Sequence, residues 1–223
     1  MTLKSALLKP LALSALLASA GVSHAAIGVV TSLAAFNAAT AVPGTDTFAG
    51  LSIVVQTASP ITRTAGAYAY MAGSSAGRFF GGGSPANPFL STELAESTIT
   101  FNAFTAGVRG IGGNFFGSNI SGLFAPGDVT LTATDGSGTV TQTLTGATLS
   151  SFLGFVSDGP ITQMTLTAVQ PLSGGFLWPS ADNLVLAAAV PEPGTYALML
   201  AGVGVLGFMA RRRGRTHPPV QGG

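Results

Sequence analysis

Val129-Thr130-Leu131-Thr132-Ala133-Thr134, then Asp135-Gly136-Ser137-Gly138, then Thr139-Val140-Thr141-Gln142-Thr143-Leu144-Thr145 is the stretch that decides the fold. Apolar and hydroxyl side chains alternate on both sides of a four-residue turn. That is the period of a half-buried strand, so the stretch predicts an antiparallel hairpin. Threonine suits the role because its branched Cβ fits a pleated surface and its hydroxyl keeps a water-facing sheet soluble without charge. The same alternation marks Ser97 to Phe101 and Met164 to Val169, and a last strand is expected at Asn183 to Leu186. Turn signals stand between them at Ala125-Pro126-Gly127-Asp128, Ser157-Asp158-Gly159-Pro160 and Ser173-Gly174-Gly175. The one helix candidate is Ser32 to Ala39, with Ser32 as N-cap. Many short strands over about 160 residues predict an all-β fold: an antiparallel two-sheet sandwich of jelly-roll type. Thirteen of the 14 Phe fall in this region and are enough to fill a core. In Phe79-Phe80 and Phe115-Phe116 extended chain must send one ring to each face, so the outward ring is either exposed or covered by a loop.

The ends have a different character. Lys4 and Lys9 precede an uncharged run from Leu11 to Val22, and Ser23 and Ala25 flank His24. A basic region, an apolar region and a small-x-small site form a signal peptide over residues 1–25, with cleavage after Ala25 and passage through the Sec export machinery. At the other end Gly194 to Ala210 is a 17-residue uncharged stretch followed by Arg211, Arg212, Arg213 and Arg215. As a helix it would measure roughly 25 Å, slightly less than a hydrocarbon core, and snorkelling arginines could make up the difference. One C-terminal transmembrane helix is therefore expected. The arginine cluster keeps residues 216–223 on the cytoplasmic side and leaves residues 26–189 outside as the exported domain. Between domain and helix, Val190-Pro191-Glu192-Pro193-Gly194 is held extended, because each proline disfavours helix at the residue before it.

Pro191-Glu192-Pro193, a short apolar helix and Arg211-Arg212-Arg213, at the end of a chain that begins with a signal peptide, resemble the PEP-CTERM sorting signal of Gram-negative bacteria. The resemblance covers about residues 190–215. It implies recognition by an exosortase, an integral membrane cysteine protease or transpeptidase. It further implies removal of the helix, delivery from an inner-membrane-anchored periplasmic precursor to the cell surface or medium, and a link to exopolysaccharide and biofilm. The tail from Thr216 to Gly223 departs from relatives that stop at the arginines. A looser similarity to the exported regions of such proteins extends to Val185 and includes Phe152-Leu153-Gly154-Phe155.

Separating the ends changes the charge. The whole chain is +1, but residues 26–189 hold three arginines, Arg63, Arg78 and Arg109, against seven carboxylates, a net of −4. Nucleic acid is not an expected partner of such a surface. The chain has no Cys, and its two His, His24 and His217, lie outside the exported domain, which also lacks Lys. That removes Ser-His-Asp and Cys-His catalysis, Schiff-base lysines and His- or Cys-ligated metals, leaving carboxylates as the only acids and bases. A non-catalytic surface or matrix protein is the expectation, with a glycan-binding module as the alternative.

Glu93 and Glu96 would be the pair of a carboxylate-dependent glycosidase, the least favoured reading, since both sit in a polar connection entering a strand. Gly81-Gly82-Gly83 and Gly110-Ile111-Gly112-Gly113 lack a phosphate-loop Lys and a full dinucleotide fingerprint, and read as a flexible loop and a tight turn. Asp46 and Asp182-Asn183 invite comparison with the structural calcium of jelly-roll carbohydrate-binding modules, an analogy of fold. Asp182 capping its own turn is the favoured reading, and no cofactor is expected. Trp178, Tyr68 and Tyr70 are the domain's aromatics other than Phe, and so the candidates for sugar stacking, at least one of them being core instead.

Overall fold

The computed structural model describes residues 27–105, 107–190, 200–206 and 211. Its elements in chain order are β1 (Ile27–Val30), α1 (Leu33–Ala39), β2 (Thr40–Asp46), β3 (Thr57–Ala58), β4 (Ile61–Ala65), β5 (Tyr68–Ser74), β6 (Arg78–Ser84), β7 (Asn87–Thr92), β8 (Ile99–Asn102), β9 (Gly110–Ser118), β10 (Phe124–Ala125), β11 (Gly127–Asp135), β12 (Thr139–Ala147), β13 (Phe152–Ser157), β14 (Ile161–Ala168) and β15 (Trp178–Ala189). They form two antiparallel sheets. The larger runs β1-β13-β9-β15-β7-β6-β3, with β10 also on β9 and β2 also on β15; the smaller runs β12-β11-β14-β8-β5-β4.

The Val129 hairpin forms as its alternation requires, with Val129 opposite Leu144 and Thr134 opposite Thr139. Val129, Leu131 and Ala133 are buried. Thr130, Thr132 and Thr134 point the other way and meet Thr143, Thr141 and Thr139, hydroxyl to hydroxyl, at 2.9, 2.9 and 3.1 Å. Hydroxyl pairs of this kind stabilise adjacent strands on the wet face. Against the inner face of this sheet lie Ile111, Phe115, Leu153, Phe155, Ala181, Leu184 and Leu186 of the larger one, and the two sets form one core.

Ser32 caps α1 as its sequence suggests: its Oγ accepts from the Ala35 amide at 3.1 Å. The helix buries a single ring, Phe36, against Val185 and Ala187 of the larger sheet. This explains glycines that the sequence reading misplaced. Gly110 to Gly113 lie within strand β9 and are not a turn. A Cβ on Gly110 would stand 2.9 Å from the Phe36 ring, and one on Gly154 would stand 2.7 Å from it, so these glycines make the hollow that holds the ring. Gly81, Gly82 and Gly83 are likewise strand, in β6, where a Cβ on Gly81 would meet the Ser52 carbonyl at 2.3 Å.

Both rings of Phe115-Phe116 are buried. Phe115 faces the core, while Phe116 faces outward and is covered edge-on by Phe89 and Phe124 at 5.0 and 6.1 Å. The last strand is longer than expected. β15 begins at Trp178, and Asp182-Asn183 is an irregularity within it, where the register against β9 shifts between Asp182 and Val185. Asn183 has φ of 48°, a left-handed conformation that asparagine tolerates better than most residues.

The expected signal peptide, with Ala25, lies outside the described residues, as do Pro191-Glu192-Pro193, Arg212 and Arg213. Of the expected transmembrane helix, residues 200–206 are helical, and among the described residues no helix is long and apolar enough to cross a membrane. Phe36→Ala should destabilise the folded chain by about 3–5 kcal/mol, because the glycine-lined hollow has no side chains with which to collapse. A lowered urea midpoint with an unchanged slope would register it.

Candidate functional site

Two features of the sheet domain concentrate chemistry. The first joins the sheets. Asp46 ends β2 in the larger sheet, and Arg63 of β4 and Tyr70 of β5 reach it from the smaller one. Arg63 donates Nε to Oδ2 at 2.6 Å and a terminal nitrogen to Oδ1 at 2.7 Å, a two-pronged ion pair. Tyr70 donates its hydroxyl to Oδ2 at 2.6 Å, and the Phe48 amide donates to Oδ1 at 2.8 Å. Burial alone would push the Asp46 carboxyl up, but the bonds from Arg63, Tyr70 and Phe48 outweigh it and hold it below its ordinary value. Burial, and then the Asp46 charge, raises the Tyr70 hydroxyl so far that it stays protonated and donating. Arg63 also lies over the Phe48 ring, 5.2 Å from its centre.

Asp182 lies close enough to feel the Asp46 charge. Burial raises its carboxyl; the Asn183 amide, donating at 2.7 Å, opposes this, and Asp46 adds to it. Asp182 thus engages its neighbour's amide at the irregularity within β15, where a turn ahead of the strand was expected. Both Asp46 oxygens are engaged by protein donors.

The second feature is a cleft on the outer side of the larger sheet, around the start of β15. Trp178 is half-buried and donates its indole N–H to the Glu93 carbonyl at 3.2 Å, and Phe176 stands edge-on to it at 6.4 Å. Gln170 fixes this segment by accepting from the Leu177 amide and donating to the Leu177 and Ala95 carbonyls. Trp178 and Ile120 separate two hollows. The larger, about 520 Å³, is lined by Leu94, Glu96, Ser97 and Phe176; the smaller, about 200 Å³, by Gln56, Phe80, Glu93 and Asn119. A polar chain runs along the smaller one: Arg78 donates to Gln56 at 2.9 Å, and Gln56 donates to Glu93 Oε1 at 2.9 Å. Beneath Trp178, the hydroxyls of Ser91, Ser118 and Ser180 lie 2.8–3.1 Å apart and tie β7, β9 and β15 together on the same face.

The structure therefore sorts the sequence candidates. Glu93 and Glu96 border separate hollows on opposite sides of Trp178. Tyr70 is buried, and Tyr68 spends its hydroxyl between the Val42 carbonyl and the Ala188 amide, so Trp178 alone of the three borders the cleft. Arg63, Gln56 and Phe176 carried no signal in the sequence beyond their residue types; only the return of distant strands places them.

The remaining candidate is the C-terminal segment. The compact sheet unit ends at Ala189, and the chain from Val190 forms a second unit. Within it, Leu200, Val203, Val205 and Leu206 are exposed on the helical stretch, and Arg211 is helical and exposed. The chain is thus a two-sheet β domain followed in sequence by a segment whose helical stretch, residues 200–206, exposes apolar side chains. Residues 189–213 match the PEP-CTERM protein-sorting motif, and the protein carries that motif. The motif implies an exported, membrane-anchored precursor processed by an exosortase. No curated protein and no solved structure matches the chain.

Replacing Asp46 by Asn should cost about 3 kcal/mol, because it strands the Arg63 charge between the sheets. The pair's contribution should be complete above the carboxyl's ordinary value of 3.8 and lost as pH falls below it, since the folded carboxyl titrates lower. Asp182→Asn should act in the opposite direction. Its folded carboxyl is raised, so the neutral isostere should increase the urea midpoint at pH 7, and the advantage should vanish as pH falls to 3.8.

Proposed function

We propose that this chain is an exported, non-catalytic surface or extracellular-matrix protein, made as an inner-membrane-anchored precursor with its sheet domain in the periplasm. The observation that carries the reading is the sorting motif at residues 189–213. Pro191, Glu192 and Pro193 serve as the recognition element, because an extended segment suits a protease or transpeptidase cleft. Residues 1–25 direct export through the Sec machinery and are removed after Ala25. Arg211, Arg212 and Arg213 hold the tail on the cytoplasmic side until the helix is cut away. The absence of Lys, Cys and His from residues 26–189 supports a role without catalysis, and the low-charge, threonine-covered sheet suits a matrix rich in exopolysaccharide.

A second reading has one observation in its favour. The cleft offers Trp178 and Phe176 beside Glu96, with Glu93, Gln56 and Asn119 on the far side of Trp178. Apolar rings with a few convergent polar groups suit a saccharide, so the cleft is proposed as a glycan-binding site. Trp178 is the chain's single tryptophan and so reports directly on occupancy.

The sorting role is tested by changing Pro191-Glu192-Pro193 to alanines. The variant should stay in the membrane at precursor mass, and release at the normal mass would overturn the claim. For the cleft, the producer's own exopolysaccharide should change Trp178 fluorescence and bind at least about tenfold more weakly to Phe176→Ala. No fluorescence change would remove the glycan reading and leave the sorting reading intact.

A further inference from the structure

We propose that the outer edge of β12 pairs antiparallel with the same strand of a second copy of this chain, about a two-fold axis at Gln142. Six strands pair on one side only among the described residues. β3, β10, β1 and β4 have two, two, four and five residues, and β2 has seven but contains Pro43 and Asp46, whereas β12 has nine. Edges of this length are ordinarily blunted by a charge or a proline, and Thr139–Ala147 contains neither. Nothing among the described residues pairs with its outer side.

The occupant follows from the strand's own order. Thr139-Val140-Thr141-Gln142-Thr143-Leu144-Thr145 reads alike in both directions, Val and Leu being equivalent branched apolar groups. Run antiparallel to itself about Gln142, it sets Thr139 opposite Thr145, Val140 opposite Leu144 and Thr141 opposite Thr143. Threonine then meets threonine on the wet face, the same side-chain match that β11 and β12 make with hydroxyls 2.9–3.1 Å apart, here at the wider, hydrogen-bonded pair positions. Val and Leu, both half-buried on the core side, meet each other.

The backbone phase agrees. The Asp135 amide donates to the Gly138 carbonyl at the turn. Alternation along the ladder from there turns the amides and carbonyls of Val140, Gln142 and Leu144 toward β11, and those of Thr139, Thr141, Thr143 and Thr145 outward. The outward set is the one that self-pairing about Gln142 requires, and it closes about eight backbone hydrogen bonds. In the single chain the Gln142 side chain donates to the Thr143 carbonyl at 3.1 Å, so that acceptor is already turned to the free side. No charge opposes the contact, since β12 is neutral in a domain of net −4. The smaller sheet thereby continues across the axis, an isologous contact that closes at two copies.

The test uses the absence of cysteine from the chain. Gln142→Cys in the full-length protein places one thiol from each copy in a non-hydrogen-bonded pair, with Cα atoms roughly 4.5 Å apart, within disulfide range. Oxidation should give a band of twice the mass on a non-reducing gel. Thr132→Cys, with β12 between it and the axis, should not give that band. Adding Thr141→Lys and Thr143→Lys to Gln142→Cys sets like charges opposite each other and should reduce the linked fraction at least about tenfold. In the unaltered full chain, amide exchange at Thr139, Thr141, Thr143 and Thr145 should slow as protein concentration rises. The proposal is overturned by no cross-link at position 142, by equal cross-linking at position 132 or in the lysine variant, or by exchange at those four amides that does not depend on concentration.

Discussion

The backbone ladder of β15 holds the larger sheet together. Its 12 residues pair with β9 along one edge and with β7 and then β2 along the other. It is thus the junction between an early strand, β2, and the hairpin strands β6 and β7. Its side chains divide the labour by alternation: Ala181, Leu184 and Leu186 go to the core, while Trp178 and Ser180 face the outer layer of the sheet. A β-bulge lets one strand serve both partners. Asn183 takes up the left-handed turn, and its side-chain amide donates to Asn114 of β9 at 3.2 Å. The strand that organises the sheet ends at Ala189, the first residue of the matched sorting motif.

Charge is used sparingly, and nearly always where geometry pays it back. Asp46 receives four donors, three from Arg63 and Tyr70 of the smaller sheet and one from the Phe48 amide just after β2, so its burial costs little net and it ties the end of β2 to the other sheet. Gly44, just before it, comes so near the Ala65 backbone that a Cβ would stand 2.2 Å from that carbonyl oxygen. Asp135 plays the matching part in the hairpin turn. Burial raises its carboxyl, and the hydroxyls of Ser137 and Ser157 with two backbone amides outweigh that and lower it. Elsewhere hydroxyls take the place of charges, and among the described residues every buried polar side-chain atom has a partner.

Such a surface suits an exported protein. Threonine and serine make local bonds that do not depend on salt, whereas surface ion pairs weaken under screening. The same economy leaves the long edge of β12 without the charges that ordinarily protect an edge.

Much of this was written in local pattern. The threonine hairpin, the capped helix at Ser32, the all-β class and the sorting signal each depend on neighbours within a few residues, where period and turn chemistry act directly. The strands from Ile61 to Thr92 and the glycine strand β9 were not legible, because small residues give no alternation and their meaning lies in the ring or carbonyl packed above them. Parity set one ring of Phe115-Phe116 outward, exposed or under a loop; that ring is Phe116, and it is buried because Phe89 and Phe124 come from other strands to cover it. The sequence by itself determined which segments are strands that can keep one face wet, what chemistry the exported domain lacks, and where the chain carries its address. Only the tertiary structure decided that Arg63 and Tyr70 hold Asp46, and that Trp178, unlike Tyr68 and Tyr70, borders a cleft. Those outcomes depend on strands distant in the chain arriving side by side, and no local period encodes which strands those will be.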